Sequence, residues 1–191
     1  MMQKLPNILT VIRIILIPFI VLLMIIPSWG AHIAAFILYA IASITDWFDG
    51  YLARKYKVTS PLGALLDNIA DKLLVVAVLL TLSAMGYIRG FHFLAVAIII
   101  LREVIVPALR QFLGDYDISV PASMIGKVKT TVQMIALGLI MLTSNDPATA
   151  FSWNLASLGI PLLWVAAALT LWSAADYFYR GLGQFFKLQK H

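Results

Sequence analysis

The chain has no cysteine in its 191 residues, which excludes a disulfide framework, a thiolate metal site and a cysteine nucleophile. It is also poor in charge. Asp, Glu, Lys and Arg together make up 12% of the residues, against about a quarter in ordinary soluble domains. The three histidines, His32, His92 and His191, are too far apart for metal-ligand spacing. No phosphate-binding glycine loop, dinucleotide fingerprint or nucleic-acid surface is present, and there is no internal repeat or low-complexity segment. In their place are long oily runs, with 62% of the residues hydrophobic. This composition implies an all-α polytopic membrane protein, and the length implies one domain over 1–191.

A span needs roughly 20 apolar residues. Six stretches qualify, about 5–27, 31–52, 62–84, 89–112, 124–143 and 154–179, so a bundle of six transmembrane helices is expected. They are separated by breakers such as "PSWG", "TSP" and "SNDPAT". The runs are continuous and do not alternate, which favours helices over barrel strands. The first run is long and no small-residue cleavage site follows it, so it reads as a retained helix rather than a signal peptide. With a cytoplasmic N-terminus, thirteen of the 14 Lys and Arg residues fall on or toward the cytoplasmic side, and the other side keeps only Arg89. Both termini are then cytoplasmic. The net charge of +5 would lie against anionic headgroups of the cell membrane.

The scarce acidic residues are unevenly placed. Of nine, four lie between positions 46 and 71: Asp46, Asp49, Asp67 and Asp71. Asp46 and Asp49 are three apart and Asp67 and Asp71 four apart, so each pair shares a helix face. The pairs sit at the cytoplasmic ends of the second and third spans, which a short connection makes antiparallel neighbours. Four carboxylates at low dielectric raise one another's pKa and cannot all stay ionised unaided. Two divalent cations would balance them. All-oxygen ligation points to Mg²⁺ or Mn²⁺, and a pair of such ions is a usual clamp for phosphoryl displacement.

Salt bridges to Arg54, Lys55 and Lys72, or an ion pathway, are the plainer readings of a single intramembrane Asp. Two helically spaced pairs favour the metal site. The intervening residues agree. Gly50, Ala53 and Gly63 keep the faces shallow, and Arg54 adds a planar donor fork suited to phosphate.

The pattern D-x₂-D-G-x₂-A-R-x₈-G-x₃-D-x₃-D, filled by Asp46, Asp49, Gly50, Ala53, Arg54, Gly63, Asp67 and Asp71, resembles the signature of the CDP-alcohol phosphotransferases, and length and span number agree over essentially the whole chain. The resemblance implies that family's fold, a homodimer, and a di-metal site open to the cytoplasmic interface. It implies Asp46, Asp49, Asp67 and Asp71 as metal ligands, with Asp71 also the base that deprotonates the acceptor hydroxyl. It assigns Gly50, Arg54 and Ser60 to CDP-diacylglycerol, together with Asn7 and Thr10 of "PNILTVIR". For those last two, helix N-capping is an equally plain reading.

The acceptor is read from spans four and five. Arg102, Arg110, Lys127 and Lys129 suit an acceptor that itself carries phosphate, although positive-inside charge with snorkelling stems would also explain the lysines. Glu103 is expected to pair with Arg102 or another cation. R-E-x₅-L-R, G-K-x-K-T-x₂-Q and the opening "PNILTVIRIILIPF" resemble the bacterial branch of the family that transfers phosphatidyl to sn-glycerol 3-phosphate and releases CMP. Asn68 departs from that branch, where Pro is expected. The competing readings are a sister enzyme using inositol phosphate or serine, a divalent-cation transporter, and a non-catalytic membrane scaffold.

Overall fold

A computed structural model describes residues 5–56, 61–116, 118, 124–143 and 150–188. Among the described residues there is no strand, and the elements are six α-helices and one 3₁₀ turn. The helices are α1 (Leu5–Ile25), α2 (Trp29–Tyr56), α3 (Pro61–Ala84), α4 (Phe93–Gly114), α5 (Met124–Met141) and α6 (Ala150–Leu188), with the turn at Gly90–His92. In lipid the backbone must satisfy its own hydrogen bonds, so runs this apolar become helices. That requirement also carries the chain through Pro18, Pro107 and Pro161, each inside a helix. Pro61 opens α3, where its missing N–H costs nothing.

Among the described residues, three helical segments are long and apolar enough to cross a membrane: Gly90–Gly114, Met124–Met141 and Ser157–Phe186. Thr10–Ile25 and Trp29–Thr45 are shorter apolar helices. Large apolar side chains stay exposed along the helices, for example Ile15, Phe19, Leu22, Val104, Leu171 and Trp172. In water such a surface would drive aggregation; facing lipid, it costs nothing. Two helices outrun their expected spans. α2 continues to Tyr56 and α6 runs from Ala150 to Leu188, because the polar ends contain no Pro or tight turn to stop them.

Contacts divide the chain into two units: residues 1–88 with 137–159, and residues 89–136 with 160–191. In the first, α1 packs against α2 and α3. Its interior is Ile20 and Met24 of α1, Ala35, Tyr39 and Ala42 of α2, and a stripe of α3 that includes Leu74, Val78 and Leu82. At Gly138 the ring of Phe36 comes so close that an added Cβ would lie 2.9 Å from its Cε2. α3 ends in a Schellman motif. The N–H of Tyr87 donates to the Leu82 carbonyl and that of Gly86 to the Ser83 carbonyl, while Gly86 takes φ 76°, a conformation glycine adopts without steric cost.

In the second unit, α4 packs with α5 and α6. Val106, Leu113, Ile118 and Tyr177 form a buried cluster backed by Leu109, Ala174, Phe178 and Phe185. At the start of α4 the Trp164 indole donates to His92 Nδ1 at 3.0 Å and stacks on Phe91.

Candidate active site

The metal-ligand candidates lie on two continuous helices of the first unit. Asp46, Asp49, Gly50, Ala53 and Arg54 are helical positions of α2, and Gly63, Asp67 and Asp71 of α3. The helical backbone therefore supplies the i, i+3 and i, i+4 registers that put each pair on one face. The side chains of Asp46, Asp49, Arg54 and Asp67 lie outside the described residues, and so does the whole of Ser60. Asp71 is described and half-buried. It lies within electrostatic reach of Tyr39 on α2, whose side chain is 3% exposed. Gly63 is buried in the first turn of α3.

α1 contributes a polar stripe to the same unit. Asn7 lies inside α1, so it does not cap the helix as described, and its side chain lies outside the described residues. Thr10 and Arg13 follow at i+3 and i+6, and both are 2% exposed. A buried Thr and a buried Arg on one face of a helix packed against α2 and α3 point inward to the helices that carry the aspartates. Arg13 was legible only as topology-setting charge; its three-residue spacing from Thr10 was the missed signal.

Among the described residues no three His, Asp or Glu side chains gather as a metal site, and three of the four aspartates lie outside that description. The donor chemistry fits a hard divalent cation nonetheless. The four candidates are carboxylates, set in pairs on two helices of one unit, and the chain has no thiol to compete.

The candidates for the acceptor's phosphate, Arg102, Arg110, Lys127 and Lys129, all lie in the second unit. Lys129 of α5 is 2% exposed, and its ammonium donates to Glu103 Oε1 of α4. Arg102 Nη1 lies 3.4 Å from the same oxygen, and its Nη2 reaches Ser173 Oγ of α6, also at 3.4 Å. Glu103 thus pairs with both cations. Arg110 has its guanidinium carbon 5.5 Å from the centre of the Tyr177 ring. Lys127 is in the first turn of α5, and its side chain lies outside the described residues. Ser173 carried no signal in the sequence. Tyr177 is buried at 7% exposure.

Helical registers of paired carboxylates, a buried Thr-Arg stripe beside them and a separate group of cations are the parts a phosphotransferase in a membrane would need. The family profile of the CDP-alcohol phosphatidyltransferases matches residues 3–172, and the chain belongs to that family. It is 41% identical over 179 residues, 93% of this chain and 94% of the relative, to the CDP-diacylglycerol--glycerol-3-phosphate 3-phosphatidyltransferase of Shigella flexneri serotype 5b (strain 8401). The enzyme of the same name from Escherichia coli (strain K12) matches with the same identity and coverage.

Proposed function

We propose that this protein transfers the phosphatidyl group of CDP-diacylglycerol to sn-glycerol 3-phosphate, giving phosphatidylglycerophosphate and CMP. The observation that carries the reading is 41% identity over 93% of the chain to relatives named for that transfer. Every position of the aspartate signature is also filled here.

Asp46, Asp49, Asp67 and Asp71 would hold two Mg²⁺ or Mn²⁺ ions, which would supply positive charge against the pyrophosphate and the attacked phosphorus. Gly50 and Ala53 let the nucleotide approach α2. Arg54, Ser60, Asn7 and Thr10 orient the CDP moiety, with Arg54 offering its donor fork to phosphate. Asp71 takes the proton of the acceptor's 1-hydroxyl as that oxygen attacks the phosphorus bearing diacylglycerol. The bond from that phosphorus to the bridging oxygen breaks, and CMP leaves with the electron pair. Arg102, Arg110, Lys127 and Lys129 hold the acceptor's own phosphate. The working protein is a homodimer in the cell membrane, one domain per chain, with both termini and the site on the cytoplasmic face.

The test is CMP release from CDP-diacylglycerol by purified protein with Mg²⁺, offered sn-glycerol 3-phosphate, inositol phosphate or serine. Turnover with glycerol 3-phosphate alone is expected. Turnover only with another acceptor would replace the acceptor and leave the chemistry; none with any acceptor, in folded metal-loaded protein, would overturn the enzyme.

A further inference from the structure

Tyr39 is buried in the first unit, and the mechanism above gives it no part. It lies on the face of α2 that also carries Ala35 and Ala42 into the interior. Ser43 follows one turn on and Asp46 nearly two, so one face runs from the phenol to the first of the metal-ligand candidates. On α3, Asp71 stands in register with Leu74, Val75 and Val78, all buried. Both faces line the interior of a unit in which α1 packs against α2 and α3. There the polar groups that act on the Tyr39 hydroxyl are Ser43 on its own helix and Asp71 on α3.

Packing alone does not call for a phenol at this place. Phe would fill nearly the same volume, and a buried hydroxyl costs about 1–3 kcal/mol unless it is hydrogen-bonded. Tyr39 brings one O–H donor and one oxygen that accepts. The Ser43 hydroxyl can donate to that oxygen, whereas an ionised carboxylate can only accept. The three groups therefore order themselves in one direction, from Ser43 to Tyr39 to Asp71. Hydrogen bonds in such a chain polarise one another, and the one that ends on a charged acceptor is the strongest. Asp71 is the aspartate with two tasks, ligand and base. Rotation of a carboxylate about its last bond is loosely restrained, and groups that bind metal are commonly held from behind by a hydrogen bond.

Resting on the metal-site reading above, we infer that Tyr39 is a positioning residue for Asp71: its hydroxyl, held by Ser43, donates to the Asp71 carboxylate and turns the other carboxylate oxygen toward the divalent cation. The phenol touches neither substrate nor cation and acts only through Asp71.

The experiment is Mn²⁺ binding to full-length protein without substrate, followed by the electron paramagnetic resonance of the free ion. The unaltered chain, Tyr39→Phe and Ser43→Ala are compared, each also melted in the same detergent. Tyr39→Phe keeps the ring and removes only the hydroxyl. Its Mn²⁺ Kd is expected to rise about 10- to 100-fold, as for other groups that hold a metal ligand from behind. In CMP release its kcat is expected to fall, with the KM values for CDP-diacylglycerol and glycerol 3-phosphate within about twofold of the unaltered chain. Ser43→Ala should raise the same Kd by less. A purely structural phenol would lower the melting temperature and leave the Mn²⁺ Kd alone; an unmoved Kd, whatever the melt, overturns the inference. Should Tyr39→Phe fail to melt cooperatively, Ser43→Ala decides, and an unchanged Kd there overturns it too. Mn²⁺ binding needs neither substrate. An unaltered chain that binds Mn²⁺ but releases no CMP therefore sinks the enzyme reading alone, and the Kd comparison still decides this inference. An unaltered chain that binds no Mn²⁺ sinks the metal-site reading and this inference with it.

Discussion

The two units handle intramembrane charge differently. In the first, the charges of interest have one sign and come from neighbouring turns of two consecutive helices: Asp46 with Asp49, and Asp67 with Asp71. In the second, opposite signs are brought together from residues 26 apart in the chain, Glu103 with Lys129, and Arg102 beside them reaches the Ser173 hydroxyl 71 residues on. Carboxylates gathered by local periodicity follow from the register of each helix alone. Cations gathered by tertiary packing arrive with their own carboxylate. One arrangement is set by the period of single helices; the other exists only where separate helices meet.

The contrast breaks most sharply at Asp71. If the aspartates act as a unit, Asp71→Asn should lower CMP release by about 10²- to 10⁴-fold, the usual worth of a positioned base. Chelation of divalent metal should abolish turnover, and restored Mg²⁺ should recover it. A variant within tenfold of the parent in a radiolabelled-CMP assay would remove Asp71 from the chemistry.

The next effect concerns stability in the second unit. Lys129→Met leaves the Glu103 carboxylate buried with its closest cation gone, a loss of about 3–5 kcal/mol for breaking a buried pair. Arg180→Ala breaks the Arg180–Asp176 pair, 2.7 Å long but with the Arg side chain 57% exposed, and should cost no more than about 0.5 kcal/mol. Melting both variants in the same detergent checks the ordering; equal shifts would show that the junction is no more costly to open than a surface pair.

Packing in the first unit gives a smaller effect. Gly138→Val places methyl groups where Phe36 already stands, so overpacking of about 1–3 kcal/mol is expected, read as a lower melting temperature with both KM values unchanged. Smaller again is Arg110→Gln, which keeps the buried Tyr177 ring and removes the guanidinium over it. The loss is about 0.5–1 kcal/mol for a cation–π contact made by an exposed cation, read as a lower melting temperature; an unchanged melt would remove this contact from the stability of the second unit.

The sequence disclosed more of the first unit than of the second. The Asp46/Asp49 and Asp67/Asp71 faces follow from helical spacing, and the expected ends of the third span, 62 and 84, fall within a residue of α3, Pro61–Ala84. In the second unit the right cations were visible but their arrangement was not. Lys129 stands two residues from Lys127, and nothing in "IGKVKTTVQ" says that it turns inward to Glu103. Tyr177 sits among "ADYFYR", where interfacial aromatics are common, yet it is buried under Arg110.

What the sequence determined by itself was therefore everything carried by composition and period. The apolar runs make membrane helices because lipid offers the backbone no other partner, and the aspartates share faces because a helix repeats every 3.6 residues. What only the tertiary structure decided was the rotation and depth at which helices distant in the chain meet: Tyr39 beside Asp71, Phe36 on Gly138, and one carboxylate shared by Lys129 and Arg102. Those pairings depend on side-chain packing between helices. The period of any one helix does not record it.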